Sequence, residues 1–324
     1  MASEDLISVI MPCFDAAPYV EEAVRSALDQ SHIVVEVVVV DDGSTDGSQQ
    51  IIERLAEENP GRIQYFRQDR RGPFPARNLG LRHAKGRFVA FLDADDYWHP
   101  ECLEKLHRAL VDANADCSYC GWQNIGKDRS NSTPYVPSEY EKGDPVKSFL
   151  ESCPWPIHAA LVRREVLNRL NGFSERCYSA MDYDLWLRLI GETRQIVRVP
   201  EVLAFYRWHG STQISAVKWR QTMDAFRART DFVRTNHPLV SHLPRKALAH
   251  LVEGDLSRAA FTAYWARDLD SAHRLFRESL KHGAWRLADL KYMLPALMPY
   301  SVFSRIVLAL GGSSGGGDST NAGV

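Results

Sequence analysis

Over its first 120 residues this chain switches repeatedly between two hydrophobic periods, and that switching restricts the fold more than any other property of the sequence. Leu6–Met11, Val34–Val40, Arg62–Arg67 and Arg87–Leu92 read as strands. Between them, Pro18–Gln30, Ile51–Glu58 and Pro75–Ala84 read as helices, and Glu101–Asn114 follows the fourth strand; the first helix carries Val20, Ala23, Val24, Ala27 and Leu28 at helical spacing. Strands alternating with helices of this length build βαβ units and a mainly parallel sheet, and right-handed crossovers place helices on both faces. Ligands of such sheets bind beyond the carboxyl ends of the strands.

The residues that follow each strand therefore matter most. The apolar run Phe88–Leu92 stops at Asp93-Ala94-Asp95-Asp96. Packed carboxylates repel one another unless a cation lies among them, and carboxylate oxygens suit a hard divalent ion that can in turn hold a diphosphate. The second strand ends in Asp41-Asp42-Gly43-Ser44-Thr45-Asp46-Gly47, a loop with free amides and a carboxylate able to accept from an imide N–H or ribose hydroxyls. Helix capping explains Ser44 and Asp46 but leaves Asp41 and Asp42 unexplained. The first strand ends in Met11-Pro12-Cys13-Phe14-Asp15 at the same edge, where Phe14 can face a base and Asp15 can cap the next helix. In Arg70–Asn78 a glycine and two prolines fix a loop. Arg77, in the first turn of the following helix, can fork onto a phosphate or a base carbonyl, whereas Arg70 and Arg71 fit a solvated loop equally well.

Downstream the pattern loosens. Five prolines punctuate residues 121–160, read as loop with a short helix at 144–151. Ala159–Val162 and Gln195–Phe205 read as strands, Arg164–Leu170 and Asp182–Ile190 as helices, and residues 217–310 as helical throughout. The division expected is a catalytic domain over 1–215, a helical region over 216–310 and a disordered Gly/Ser tail over 311–324. Charge follows it: residues 1–215 hold 24 Lys+Arg against 32 Asp+Glu, residues 216–310 hold 15 against 8. Singly, cations such as Arg227, Arg229, Arg234, Arg245, Lys246, Arg274, Arg277 and Lys281 suit solvated helix faces; their excess suits an anionic membrane surface. Residues 292–304 lack charge, yet are shorter than the ~20 apolar residues a bilayer span needs, which leaves a core helix pair or an interfacial segment. A net charge of -2 gives no reason to expect a nucleic-acid partner. Cys117-Ser-Tyr-Cys120 has no second ligand pair to complete a zinc site and reads as packing thiols, and Met1–Asp5 lacks signal-peptide features, so a cytoplasmic setting is expected.

Taken together, four separated segments resemble the inverting family 2 glycosyltransferases over residues 6–210: Ser8–Asp15, Val37–Asp46, Ala76–Gly80 and Phe91–Asp96, the last similar to that family's DXD metal motif. The resemblance implies a GT-A fold, a nucleoside-diphosphate sugar donor with UDP expected, Mg²⁺ or Mn²⁺, and a glycan or lipid-linked acceptor of surface polysaccharide synthesis. The basic helical region adds the expectation of a cytoplasmic enzyme docked at the inner face of the cell membrane. It implies that Asp42 binds the base, Asp93 the ribose or the metal-bound diphosphate, and Asp95 the metal, with Asp96 a secondary ligand or structural acid. Pro12, Phe14, Asp15, Asp41 and Arg77 complete the nucleotide side. Asp182 stands where the family has its general base, although Met181 replaces the usual Glu, and Asp184 is the fallback. Tyr206-Arg207-Trp208-His209 resembles the family's RxH segment, with Arg207 a phosphate partner and His209 a metal or diphosphate contact. His158 falls where the family lines its acceptor cleft.

Two other readings compete. A catalytically silent nucleotide-sugar-binding or scaffold protein would tolerate Met181 but has no use for an acid at 182. A nucleotidyltransferase would share the sheet and metal acids, but no Gly-rich signature of that kind follows the first strand; the absence of GxGxxG and GxxxxGK[ST] argues separately against dinucleotide-binding and P-loop readings.

Overall fold

The computed structural model describes residues 5–31, 34–126, 132–174, 176–209 and 218–311. The expected Gly/Ser tail, from residue 312 onward, lies outside the described residues. Eight strands form one sheet: β1 (Ile7–Cys13), β2 (Val35–Asp41), β3 (Ile63–Arg67), β4 (Phe88–Phe91), β5 (Tyr97–Trp98), β6 (Cys117–Ile125), β7 (Ala160–Arg163) and β8 (Ile196–Arg207). Their order is β3-β2-β1-β4-β7-β6-β8-β5. The β1, β2 and β4 strands are buried along their whole length, as continuous hydrophobic runs covered on both faces should be.

Helices α1 (Val20–Leu28), α2 (Ser48–Glu58), α3 (Pro73–His83) and α4 (Cys102–Asp112) make the crossovers, followed by α5 (Pro145–Glu151), α6 (Arg164–Arg169) and α7 (Met181–Glu192). α3 lies close on β1 because residue 80 is glycine: a Cβ there would sit 2.6 Å from Ile10 Cγ2. The chain divides into two compact units, one of residues 1–216 and 228–242, the other of 217–227 and 243–324. The second is helical, built from the start of α8 (Lys218–Thr235), then α10 (Arg245–Trp265), α11 (Leu269–His282), α12 (Leu290–Met293) and α13 (Tyr300–Gly311), while α9 (His237–Val240) belongs to the first.

Two features of the sheet depart from the sequence reading. β7 pairs antiparallel with both β4 and β6, and β5 antiparallel with β8. A pairing direction has no signature in a hydrophobic run, and two residues of β5 carry no period. Residues 121–125, read as loop, continue β6 alongside β8 as far as Ile125↔Arg207. Their half-exposed side chains lack the apolar pattern that marks a strand, and the backbone ladder alone makes them one.

Candidate active site

The directions of the strands bring the acids together. β1, β2 and β4 are mutually parallel, and β8 reaches the same direction through two antiparallel steps, β4 to β7 and β7 to β6, before pairing parallel with β6. Asp15, Asp42, Asp93–Asp96 and Arg207–His209 therefore emerge at one edge. Pro12 sits at this edge without loss: Leu92 N–H to Ile10 O is the last rung toward β4, and alternation turns the missing N–H of residue 12 to that side.

The residues expected on the nucleotide side are tied to one another. Asp42 Oδ1 accepts from Gln68 Nε2 at 2.7 Å and from the amide of Arg71 at 2.8 Å, and Oδ2 accepts from the amide of Gly72 at 2.8 Å. Gly72 has φ +99°, which its lack of a Cβ permits. With four acceptor positions in all, Asp42 retains one for a ligand donor. Asp41 is fully buried and accepts from the Ser44 amide and the Tyr65 hydroxyl. Asp15 does not cap α1; it takes the Thr45 amide at 2.8 Å and so joins the loops after β1 and β2. Phe14 lies under the Arg70 guanidinium, 3.7 Å from ring centroid to Cζ.

The acid turn is the electrostatic centre. Ligand atoms of Asp93, Asp95 and Asp96 lie within 4.8 Å of one another. Arg77, which is buried, donates one Nη to Asp93 Oδ1 and points the other at Met181 Sδ, while its Nε has no partner among the described residues. Burial and then Asp95 push the Asp93 carboxyl up, and the bonded Arg77 pulls it back only in part. Asp96 is pushed well above the ordinary carboxylate range, by burial first and by Asp95 and Asp93 next. Its Oδ1 accepts from the Arg207 amide at 2.8 Å, but its Oδ2 accepts from no donor among the described residues. Three hard oxygen donors, mutually repelling and with one buried oxygen unsatisfied, fit a divalent cation such as Mg²⁺ or Mn²⁺.

Other expected residues find specific places. His209 Nε2 lies 2.7 Å from Asp95 Oδ2, which raises the imidazole above its usual value, and Tyr19 stacks on its ring at 5.3 Å. Arg207 donates Nε to the Asp95 carbonyl and Nη2 to Glu22, so it shapes the acid turn from behind. His158 does not line an open cleft. It is wholly buried with Nδ1 3.3 Å from Asp96 Oδ2, and burial drives its pKa down to about 3. The reason is β5: Trp98 Nε1 donates to the His158 carbonyl and holds that segment beneath the acid turn. Asp184 is bound to Arg188 at 2.8 Å, and Arg188 also donates to the Leu170 and Gly172 carbonyls, a structural cross-brace.

Asp182 occupies the second position of α7. Its carboxyl is raised, burial being the main cause, while Arg77 lowers it and Asp93 raises it further. Arg77 contacts both Met181, the residue before Asp182, and Asp93, and so brings the start of α7 to the acid turn. An open groove of about 640 Å³ beside α1 and β5 contains none of these acids. Gln68, Tyr19 and Glu22 were not foreseen, since each acts through a partner distant in sequence. The CxxC thiols Cys117 and Cys120 are free and buried in β6.

Comparison with known proteins agrees with this geometry. TuaG of Bacillus subtilis, named for teichuronic acid biosynthesis, is 30% identical over 217 residues, covering 66% of this chain and 83% of that protein. The hyaluronan synthase of Pasteurella multocida is 28% identical over 197 residues, 60% of this chain but only 20% of that protein. Among solved structures, S. aureus TarS 1-349 in complex with UDP-GlcNAc superposes with a TM-score of 0.65 at 17% identity, covering 95% of this chain and 92% of that one. The mannosyltransferase PcManGT from Pyrobaculum calidifontis, in complex with GDP-Man and Mn²⁺, gives 0.56 at 23% identity over 94% and 84%. Both share the GT-A fold. The family model of glycosyl transferase family 2 matches residues 8–170, which spans β1 through α6 and every acid of the strand-edge cluster. With that match and the TuaG likeness, the chain belongs to glycosyl transferase family 2.

Proposed function

We propose that this glycosyltransferase is metal-dependent and inverting, moving a sugar from a UDP-sugar to a hydroxyl of a glycan or lipid-linked acceptor in surface polysaccharide synthesis. The observation that carries the reading is the start of α7 held at the acid turn by Arg77, which contacts both Met181 and Asp93 and so sets Asp182, the next residue, beside the acids. Relatives named for teichuronic acid, chondroitin and hyaluronan support the polymer class, and TarS solved with UDP-GlcNAc and with UDP supports the donor.

In this mechanism the remaining acceptor position of Asp42 takes a donor group of the base, beside Pro12, Phe14, Asp15 and Asp41. Asp93 and Asp95 would hold Mg²⁺ or Mn²⁺ with His209 beside them, and the cation would neutralise charge on the departing diphosphate. Arg77 fixes Asp93. Asp182 takes the proton of the acceptor hydroxyl as its oxygen bonds the anomeric carbon and the bond to the diphosphate breaks on the opposite face. A raised pKa makes Asp182 a stronger base than an ordinary carboxylate. Residues 1–215 carry this chemistry; the region 216–310 serves peripheral attachment at the inner face of the membrane.

The test combines ligand binding with turnover. Thermal shift against nucleoside diphosphates and their sugars, with and without Mn²⁺, should single out a uridine ligand whose stabilisation needs the ion. Asp182→Asn should keep that shift and lose transfer by ~10²–10⁴-fold. Unchanged transfer would remove Asp182 from the role of base.

A further inference from the structure

The cations singled out in the sequence are mostly spoken for. Arg227, Arg234 and Arg274 pair with Asp224, Asp231 and Asp270 on their own helices, and Arg229 is buried in the first unit, donating to the Tyr183 hydroxyl. The unusual surface of the second unit lies further on. Of the fourteen exposed large apolar side chains among the described residues, eight fall between Trp285 and Leu308. Leu287 is 81% exposed, Leu297 58% and Leu308 60%. α13 buries Phe303 and Val307 and leaves Val302, Arg305, Leu308 and Ala309 outside, on one helix face at positions i, i+3, i+6 and i+7. A buried helix would not leave this face uncovered, and single exposed apolar residues are normal where a run of them is not.

Charge identifies the occupant. Residues 285–311 contain Arg286, Lys291 and Arg305 against one acid, Asp289, which is buried and paired to Arg286. Lys291 and Arg305 have no carboxylate partner among the described residues. The acids of the neighbouring α11 are engaged as well, Asp270 by Arg274 and Glu278 by Lys281 and His282. A second copy placed symmetrically on this face would set cation against cation. An anionic bilayer offers what the face lacks, a negative surface for the cations and hydrocarbon for the leucines.

We infer that residues 285–311 form an in-plane docking surface for anionic lipid, with Leu294, Leu297, Met298, Val302 and Leu308 entering the acyl boundary and Lys291 and Arg305 meeting headgroups. This deepens the peripheral-membrane part of the function proposed above, and rests on that part without depending on Asp182. Among the described residues no helix is long and apolar enough to cross a membrane.

The test is sedimentation of the full chain with phosphatidylglycerol-containing vesicles and with phosphatidylcholine vesicles, without donor or acceptor. Binding should be confined to the anionic vesicles. Leu297→Ser should weaken it about tenfold, the loss of one buried leucine. Lys291→Gln with Arg305→Gln should weaken it about thirtyfold and abolish its salt dependence. All these positions are exposed, and unchanged melting of each variant with unchanged donor hydrolysis separates docking from folding and from chemistry. Equal binding to neutral vesicles, no binding to either, or unchanged binding by the variants would overturn the inference. So would a concentration-dependent dimer that Leu297→Ser dissociates while vesicles are ignored.

Discussion

Asp96→Asn should stabilise the metal-free protein, and the gain should grow with pH. Asp96 is 1% exposed, its Oδ1 takes the Arg207 amide, and its Oδ2 and His158 Nδ1 face each other at 3.3 Å with neither satisfied by any other group among the described residues. The asparagine carbonyl can keep the Arg207 bond while its Nδ2 donates to His158, which is neutral because burial holds its pKa near 3. A buried polar group left without a partner costs about 1–3 kcal/mol, and removing the charge also relieves repulsion from Asp93 and Asp95. The expected gain at alkaline pH is therefore about 1–3 kcal/mol, or roughly 2–4 °C in Tm for each kcal/mol. The sign follows from linkage. Burial raises Asp96 in the folded state, so the folded protein holds that proton more tightly than the unfolded chain. At low pH one shared proton satisfies the pair and parent and variant should be alike; as pH rises through the folded pKa the parent alone loses stability. Urea melts with a chelator present, run across pH for both proteins, measure the difference directly. A variant less stable than the parent throughout, or a gap that does not widen with pH, would refute the reasoning.

The raised pKa of Asp182 places the acid limb of kcat/KM above the ordinary aspartate value of about 3.9, since the base acts only when ionised and the rate rises with pH through its pKa. A pH–rate profile checks this, and the residual activity of Asp182→Asn should lack the limb. Gly80→Ala should destabilise the first unit by about 1–2 kcal/mol, because overpacking of about 1–3 kcal/mol against Ile10 exceeds the gain in helix propensity; urea unfolding that shows a more stable variant would contradict the close approach of α3 to β1.

The site was legible to the extent that its residues follow strands. Asp42 and the Asp93–Asp96 acids were found because a run of apolar residues that stops at a carboxylate marks a strand end in the local sequence alone. Asp15 was assigned to the wrong partner because a short polar residue beside a helix start looks like a cap, whereas Asp15 takes an amide from the loop after β2. His158 was expected at a cleft and is buried. Nothing near it in the sequence reveals that Trp98 holds its carbonyl from below.

Local periodicity determined that the first half of the chain alternates strand and helix, that helices cover both faces, and that the carboxylates gather at one edge. Those properties depend on residues within a turn or two of each other. The antiparallel entry of β7, the two-residue β5 and the parallel return of β8 were decided only in three dimensions, because strand partners are chosen by backbone hydrogen bonds across distances the sequence does not encode locally. Those pairings bring Arg207 and His209 to Asp95 and set His158 against Asp96. They turn a row of acids into a site, because the charge on each carboxylate is set by burial and by neighbours that only the folded chain supplies.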